Sequence, residues 1–337
     1  MYFADLKEAC NLFCLITGED LPLKHFMTKE MQNKISNYEY KMTDRFLQYS
    51  KTQLDFWGEC FSSYDRIVEE NDLFKIYDYS PRRTFYKDEV IEIVTSFYNE
   101  FGYYDLVNDF FNRNCIVDDL ILGDNALGYT HVLKSLEKYY ISLDEMDKGI
   151  PYLYVLVHEF GHVLDYKLYN HNTYFDFKTS YMQEVAPIFF QIMFIDYLKR
   201  NKIASIEADL LLCNDILVNY DNIGIFEICN NFEIESMNKN GDVICDGAEG
   251  VKYKFAFYDT LIYILGFYYA FHLKYLYYND KNNFNSVFSY FMKNKGEVSS
   301  EELSNGFCFG KGIFESGVLI EDYIKEPFIN LRKKLIK

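Results

Sequence analysis

Between Pro151 and Asn170 the chain carries apolar side chains around most of the circumference of a helix: Tyr152, Val155, Leu156, Phe160, Val163 and Leu164. A helix with one apolar stripe can lie on a surface, but one that is apolar nearly all round must be enclosed by other elements. This segment therefore demands a fold built around a buried helix. Its start is marked by Asp147 and Gly149, and by Pro151, whose missing N–H has no intrahelical partner in the first turn anyway. Inside that apolar setting stand His158, Glu159 and His162. Polar groups taken out of water cost free energy unless something satisfies them, so these three require an explanation.

The rest of the chain reads as mainly helical. Proline occurs only five times, no Gly/Ser-rich linker is visible, and no repeat recurs at a solenoid period. Periodicity predicts helices over roughly 2–17, 28–70, 87–113, 151–170, 181–200, 204–219, 253–278, 283–294 and 318–335. Two segments read as extended, Leu136–Leu143 and Ile223–Cys229, and the Asn/Gly-rich stretch 230–250 reads as loop or a loose hairpin. The expected fold class is mainly α with a small β-sheet beside the helix that holds His158 and His162.

Charge and composition narrow the function classes. With 34 basic against 51 acidic residues the formal net charge is −17, opposite to the basic face that phosphate neutralisation needs, so no nucleic-acid partner is expected. The basic cluster Arg332, Lys333 and Lys334 reads as a solvated helix end. An acidic chain is also repelled by anionic membranes. The two most apolar stretches, Val185–Leu198 and Thr260–Phe271, are too short or too interrupted to span a bilayer. Eight cysteines contain no CxxC pair and do not form a disulfide framework. With no basic-then-apolar start, the expectation is a reduced, soluble, cytoplasmic protein without a membrane partner.

His158-Glu159-Phe160-Gly161-His162 is an HExxH sequence. Residues at i and i+4 lie one above the other on a helix, so both imidazoles can reach one ion. Glu159 projects beside that ion, where it can polarise a bound water. A single Zn2+ would lower the pKa of a water and polarise a carbonyl. Catalytic zinc takes three protein ligands, and a third His six residues after His162 is absent, because Leu168 stands there. The next candidate is Glu184, 22 residues after His162, at the opening of the following apolar helix. A helix, a turn and an antiparallel return helix fit that interval. The competing reading is a chance match in which both histidines are satisfied core groups. Asp165 lies on the face shared by His158 and His162, where it would support a ligand or simply face solvent near the helix end. His25, His131, His171 and His272 read as structural or surface residues.

From about residue 75 onward the chain resembles the oligoendopeptidase F and thimet oligopeptidase family of zincin-like zinc peptidases. The HEFGH segment and Glu184-Val185-Ala186 with Phe189 are the specific matches. Tyr77-Asp78-Tyr79-Ser80-Pro81, the Gly128-Tyr129 pair and Tyr263-Ile264-Leu265-Gly266 follow in the family's order. The resemblance implies a zincin-like catalytic domain over 76–337, preceded by a short helical segment over 1–75 packed upon it. It implies a zinc-dependent metallopeptidase hydrolysing short peptides, with metal ligands His158, His162 and Glu184 and Glu159 as general base and acid. Tyr263 matches a family tyrosine that stabilises the oxyanion. A second such tyrosine would fall at Ala256, so Tyr258 or Tyr253 takes its place at the substrate, or both merely pack. Gly128 matches the substrate-side segment.

The chain also departs from the family pattern. Asp165 stands in place of the usual His, Pro187 in place of Ser, and Gln191 in place of an acidic residue that supports a ligand. Residues that orient a ligand from behind affect metal affinity and activity about 10- to 100-fold. The family's long N-terminal lobe is much shortened, so either the cleft is more open or a second copy or partner chain covers it. Two further readings stand beside an active endopeptidase: a weakened or inactive peptidase-like binding protein, and a zinc hydrolase acting on something other than a peptide.

Overall fold

The computed structural model describes residues 10, 29, 83–113, 115–120, 127–133, 136–168, 183–216, 218, 234–237, 243–246, 252–255 and 257–294. The readings over 223–229 and 318–335, the Tyr77–Pro81 match, and nearly all of the helices at 2–17 and 28–70 lie outside the described residues. The chain divides into two compact units. One comprises Met1–Met27, Ser80–Tyr174 and Ala186–Ala208, the other Thr28–Tyr79, Phe175–Val185 and Asp209–Lys337.

In the first unit, helices α1 (Lys87–Asn99) and α2 (Tyr104–Asn112) precede strands β1 (Ile116–Leu120), β2 (Gly128–Leu133) and β3 (Lys138–Asp144). Helices α3 (Ile150–Leu168) and α4 (Val185–Arg200) follow; a further helix, α5 over 205–216, begins in this unit and passes into the second after Ala208. The division between the units falls in the first turn of α4: Glu184 and Val185 belong to the second unit and Ala186–Ala208 to the first.

The single helix expected over 87–113 is two helices. Gly102 adopts φ 81°, its N–H bonds to Asn99 O at 3.0 Å, and the Tyr103 N–H bonds to Tyr98 O at 3.0 Å. This is a Schellman closure, which needs a left-handed residue that glycine supplies without steric cost, and it turns the chain before α2 can start.

The three strands form a sheet in the order β1-β3-β2. Parallel pairing sets Ile116 opposite Ile141 in β3, and antiparallel pairing sets Thr130 opposite the same residue from β2. Only β3 overlaps the extended segment expected near here; β1 and β2 are additional. Helix α3 packs on β2 and β3. Its other sides meet an aromatic core in which Phe97, Tyr98, Phe160, Phe189, Phe190 and Phe194 are fully buried. Their rings meet edge-on: Phe97 on Phe194 at 5.1 Å, Phe101 on Phe190 at 5.3 Å and Phe110 on Phe160 at 5.2 Å. Such contacts add roughly 0.5–1.5 kcal/mol each beyond their buried area. The all-round apolar character of α3 is thus matched by burial, with Leu153, Leu156, Val157, Phe160 and Val163 at zero exposure.

In the second unit, β4 (Ile234–Met237), β5 (Val243–Asp246) and β6 (Lys252–Phe255) form an antiparallel sheet in sequence order. The loose hairpin expected over 230–250 is β4 paired with β5. The helix expected from 253 instead begins at Phe257 as α6 (Phe257–Asn279), because Lys252–Phe255 pairs with β5 as a third strand. Helix α7 (Lys281–Asn294) follows after Asp280, whose carboxylate accepts the Asn283 N–H at 3.1 Å as an N-cap. Among the described residues no helix is long and apolar enough to cross a membrane.

Candidate metal centre

Helix α3 is anchored at both its start and its middle. At the start, Phe85 N–H bonds to Lys148 O at 2.7 Å, and the Tyr152 hydroxyl donates to Asp118 on β1 at 2.7 Å. At mid-helix, Tyr98 reaches from α1 and donates its hydroxyl to Val157 O at 2.6 Å. Burial, with a smaller contribution from nearby Tyr103, holds the Tyr98 phenol well above its ordinary pKa, so it remains a donor. That bond sits one residue before His158 and fixes the turn that carries it.

His158 and His162 project from one face of α3, their rings 4.9 Å apart at an interplanar angle of 80°. His158 is buried at 7 % exposure, and its Nδ1 donates to Gln191 Oε1 on α4 at 2.9 Å. The amide nitrogen of Gln191 faces Tyr154 O at 3.4 Å, which sets the end of the amide presented to the imidazole. With Nδ1 carrying the proton, Nε2 keeps its lone pair for a metal. Glu184, buried at 3 % exposure, opens α4. His158, His162 and Glu184 each offer one ligand atom, and the three atoms lie within 4.8 Å of one another. Two imidazoles and one carboxylate suit Zn2+. The donor set therefore fits the ion.

One contact sets how near α4 comes to α3. A Cβ built on Gly161 would stand 2.5 Å from Pro187 Cα, a backbone atom that cannot step aside. Only glycine at 161 permits this approach, and it lies between the two histidines in sequence. Pro187 is the residue on which Gly161 rests.

Across the helix from α4, strand β2 holds Glu159. Thr130 Oγ1 lies 2.7 Å from Glu159 Oε2 and 2.9 Å from the Glu159 carbonyl oxygen. A Cβ on Gly128 would come within 2.9 Å of Glu159 Oε1 and of Val155 Cγ1. Sequence reasoning found Gly128 but not Thr130 or Gly161. Gly161 carried a usable signal, as a mid-helix glycine costs about 1 kcal/mol against alanine without a packing reason. Thr130 carried none, because β2 was not read as a strand.

Asp165 is buried at 2 % exposure, so it is not the solvent-facing residue of the alternative reading. Tyr263 lies on α6 in the second unit and is 41 % exposed. Tyr258 falls in the first turn of α6 and Tyr253 on β6 opposite Cys245, and the side chains of both lie outside the described residues. His131 and His272 are both buried, the first bonded to Ser142 Oγ at 2.6 Å. Comparison with family models, curated proteins and solved structures finds no match for this chain.

Proposed function

We propose that this chain is a zinc-dependent metallopeptidase of the zincin type that hydrolyses oligopeptides. The observation that carries the reading is the convergence of His158, His162 and Glu184 within 4.8 Å, with the Glu159 carboxylate one residue along the same helix. Two nitrogen donors from α3 and one oxygen donor from the residue just before α4 leave a fourth position for water or substrate. When bound, zinc supplies an acidified water and polarises the peptide carbonyl.

The chain's own residues do the rest. Gln191 holds the His158 ring in the tautomer that leaves Nε2 unprotonated. Glu159, at 5 % exposure, accepts a proton from the attacking water and returns it to the leaving amine. Its seclusion strengthens each electrostatic contact it makes. Strand β2 has a sheet neighbour on one side only among the described residues, and it lies beside α3. An extended peptide can therefore add to that edge by main-chain hydrogen bonds. Tyr263 is the candidate for oxyanion stabilisation.

The test is cleavage of a quenched fluorescent peptide library by zinc-loaded wild type and Glu159→Gln, with zinc content measured on both. The expected result is zinc in both proteins and cleavage in the wild type alone, the variant reduced by about 100-fold or more. Zinc in both with cleavage by neither would favour the inactive binding protein. Equal cleavage by both would remove Glu159 from the mechanism.

A further inference from the structure

The two oxygens of Glu159 have different surroundings. Oε2 lies 2.7 Å from the Thr130 hydroxyl. Beside Oε1 is the space that a side chain on Gly128 would fill, since a Cβ there would stand 2.9 Å away. Both residues belong to β2 and are separated by two positions, so the pleat of one strand places them on the same face. The Thr130 hydroxyl has a single proton and two acceptors in reach, Oε2 and the Glu159 carbonyl oxygen at 2.9 Å. A carboxylate is the stronger acceptor, so the proton goes to Oε2.

We infer that Thr130 is a positioning residue that ties Glu159 down through Oε2, leaving Oε1, over the gap at Gly128, as the oxygen that exchanges a proton with water and leaving group. The inference rests on the peptidase reading and deepens it. Without the tether the carboxylate rotates about its terminal torsion, which is broad and weakly restrained, and either oxygen can face the reaction. The bond to Glu159 Oε2 is equally available to serine, so the hydroxyl, and not the threonine methyl, is the feature the site needs.

Thr130→Val keeps the shape and β-branching of the side chain but removes the donor, and Thr130→Ser keeps the donor. Four quantities are measured: zinc affinity by chelator competition, and, on zinc-loaded protein, kcat and KM on a cleaved peptide and the Kd of acetohydroxamate. A hydroxamate needs a correctly placed carboxylate to take its proton, so its Kd reads the position of Glu159 without turnover. The expected result for Thr130→Val is unchanged zinc affinity, kcat lower by about 10- to 100-fold with KM within about twofold, and hydroxamate binding about 10-fold weaker. Thr130→Ser returns kcat and Kd to within about threefold of wild type. Wild-type values for Thr130→Val in both readouts would overturn the inference, as would zinc loss in both variants, which would make the residue structural. A wild type that cleaves no peptide, alongside the expected hydroxamate pattern, would sink the peptidase reading and leave the role of Thr130 standing.

Discussion

Helix α3 is gripped on two sides, and the two grips differ in kind. On the α4 side the contacts bear on the histidines: Glu184 joins them, Gln191 orients His158, and Pro187 presses against Gly161. On the β2 side they bear on Glu159, through Thr130 and the space at Gly128. On the proposed reading, one flank serves metal binding and the other serves proton transfer. A helix can carry both on adjacent residues because successive side chains point about 100° apart. The consequence is that metal affinity and turnover should be separable by mutation, according to which flank is changed.

The largest effect is expected on the α4 side. Gly161→Ala places a methyl group 2.5 Å from Pro187 Cα, so the helices must separate at the level of the ligands. Overpacking of this kind costs about 1–3 kcal/mol or more. Zinc content measured by atomic emission should fall below a tenth of an equivalent, with a lower thermal midpoint. A variant that kept full zinc would mean that the spacing of α3 and α4 does not govern the site.

Next comes the β2 side. Gly128→Ala should leave zinc content at wild-type level while turnover of a fluorogenic peptide drops about 100-fold, the scale set by a displacement of roughly an ångström at a reacting group. Loss of zinc in that variant would break the separation of the two flanks.

The smallest effect sharpens the α4 side alone. Gln191→Leu removes the acceptor for His158 Nδ1–H and should weaken zinc by about 10-fold, within the range for residues that orient a ligand from behind. Chelator competition measures it directly. At saturating zinc, peptide turnover should recover, because Glu159 and its supports are untouched.

How much of this was legible in the sequence differs between the two flanks for a physical reason. The central helix announced itself by an apolar surface on nearly every side, and its two histidines by the i, i+4 spacing that a metal requires. Glu184 followed from the need for a third ligand and from the length of chain a return helix takes. These features are local or one helical hairpin apart. The β2 side was mostly silent, because β1 and β2 are short strands whose pairing with β3 depends on partners distant in sequence. Gly102 falls inside the stretch whose periodicity predicts one helix over 87–113, yet its φ of 81° closes one helix and frees the next. Lys252–Phe255 alternates with the two-residue period of a strand but adjoins a long helix, and the longer pattern absorbed it. Gly161 and Pro187 make the same point most sharply, since each looks like a weak helix residue until the close approach of the two backbones is known.

The central claim is that two imidazoles and one carboxylate hold a single divalent ion. Zinc-edge X-ray absorption on the purified, zinc-loaded protein, recorded for wild type and Glu184→Ala, tests it most directly. The wild type should give one zinc per chain, two histidine nitrogens, oxygen in the remaining positions and no sulfur, and the variant should lose one oxygen ligand or the metal itself. A wild-type protein that takes up no zinc, or one whose spectrum shows cysteine sulfur or is unchanged by the substitution, would contradict the account.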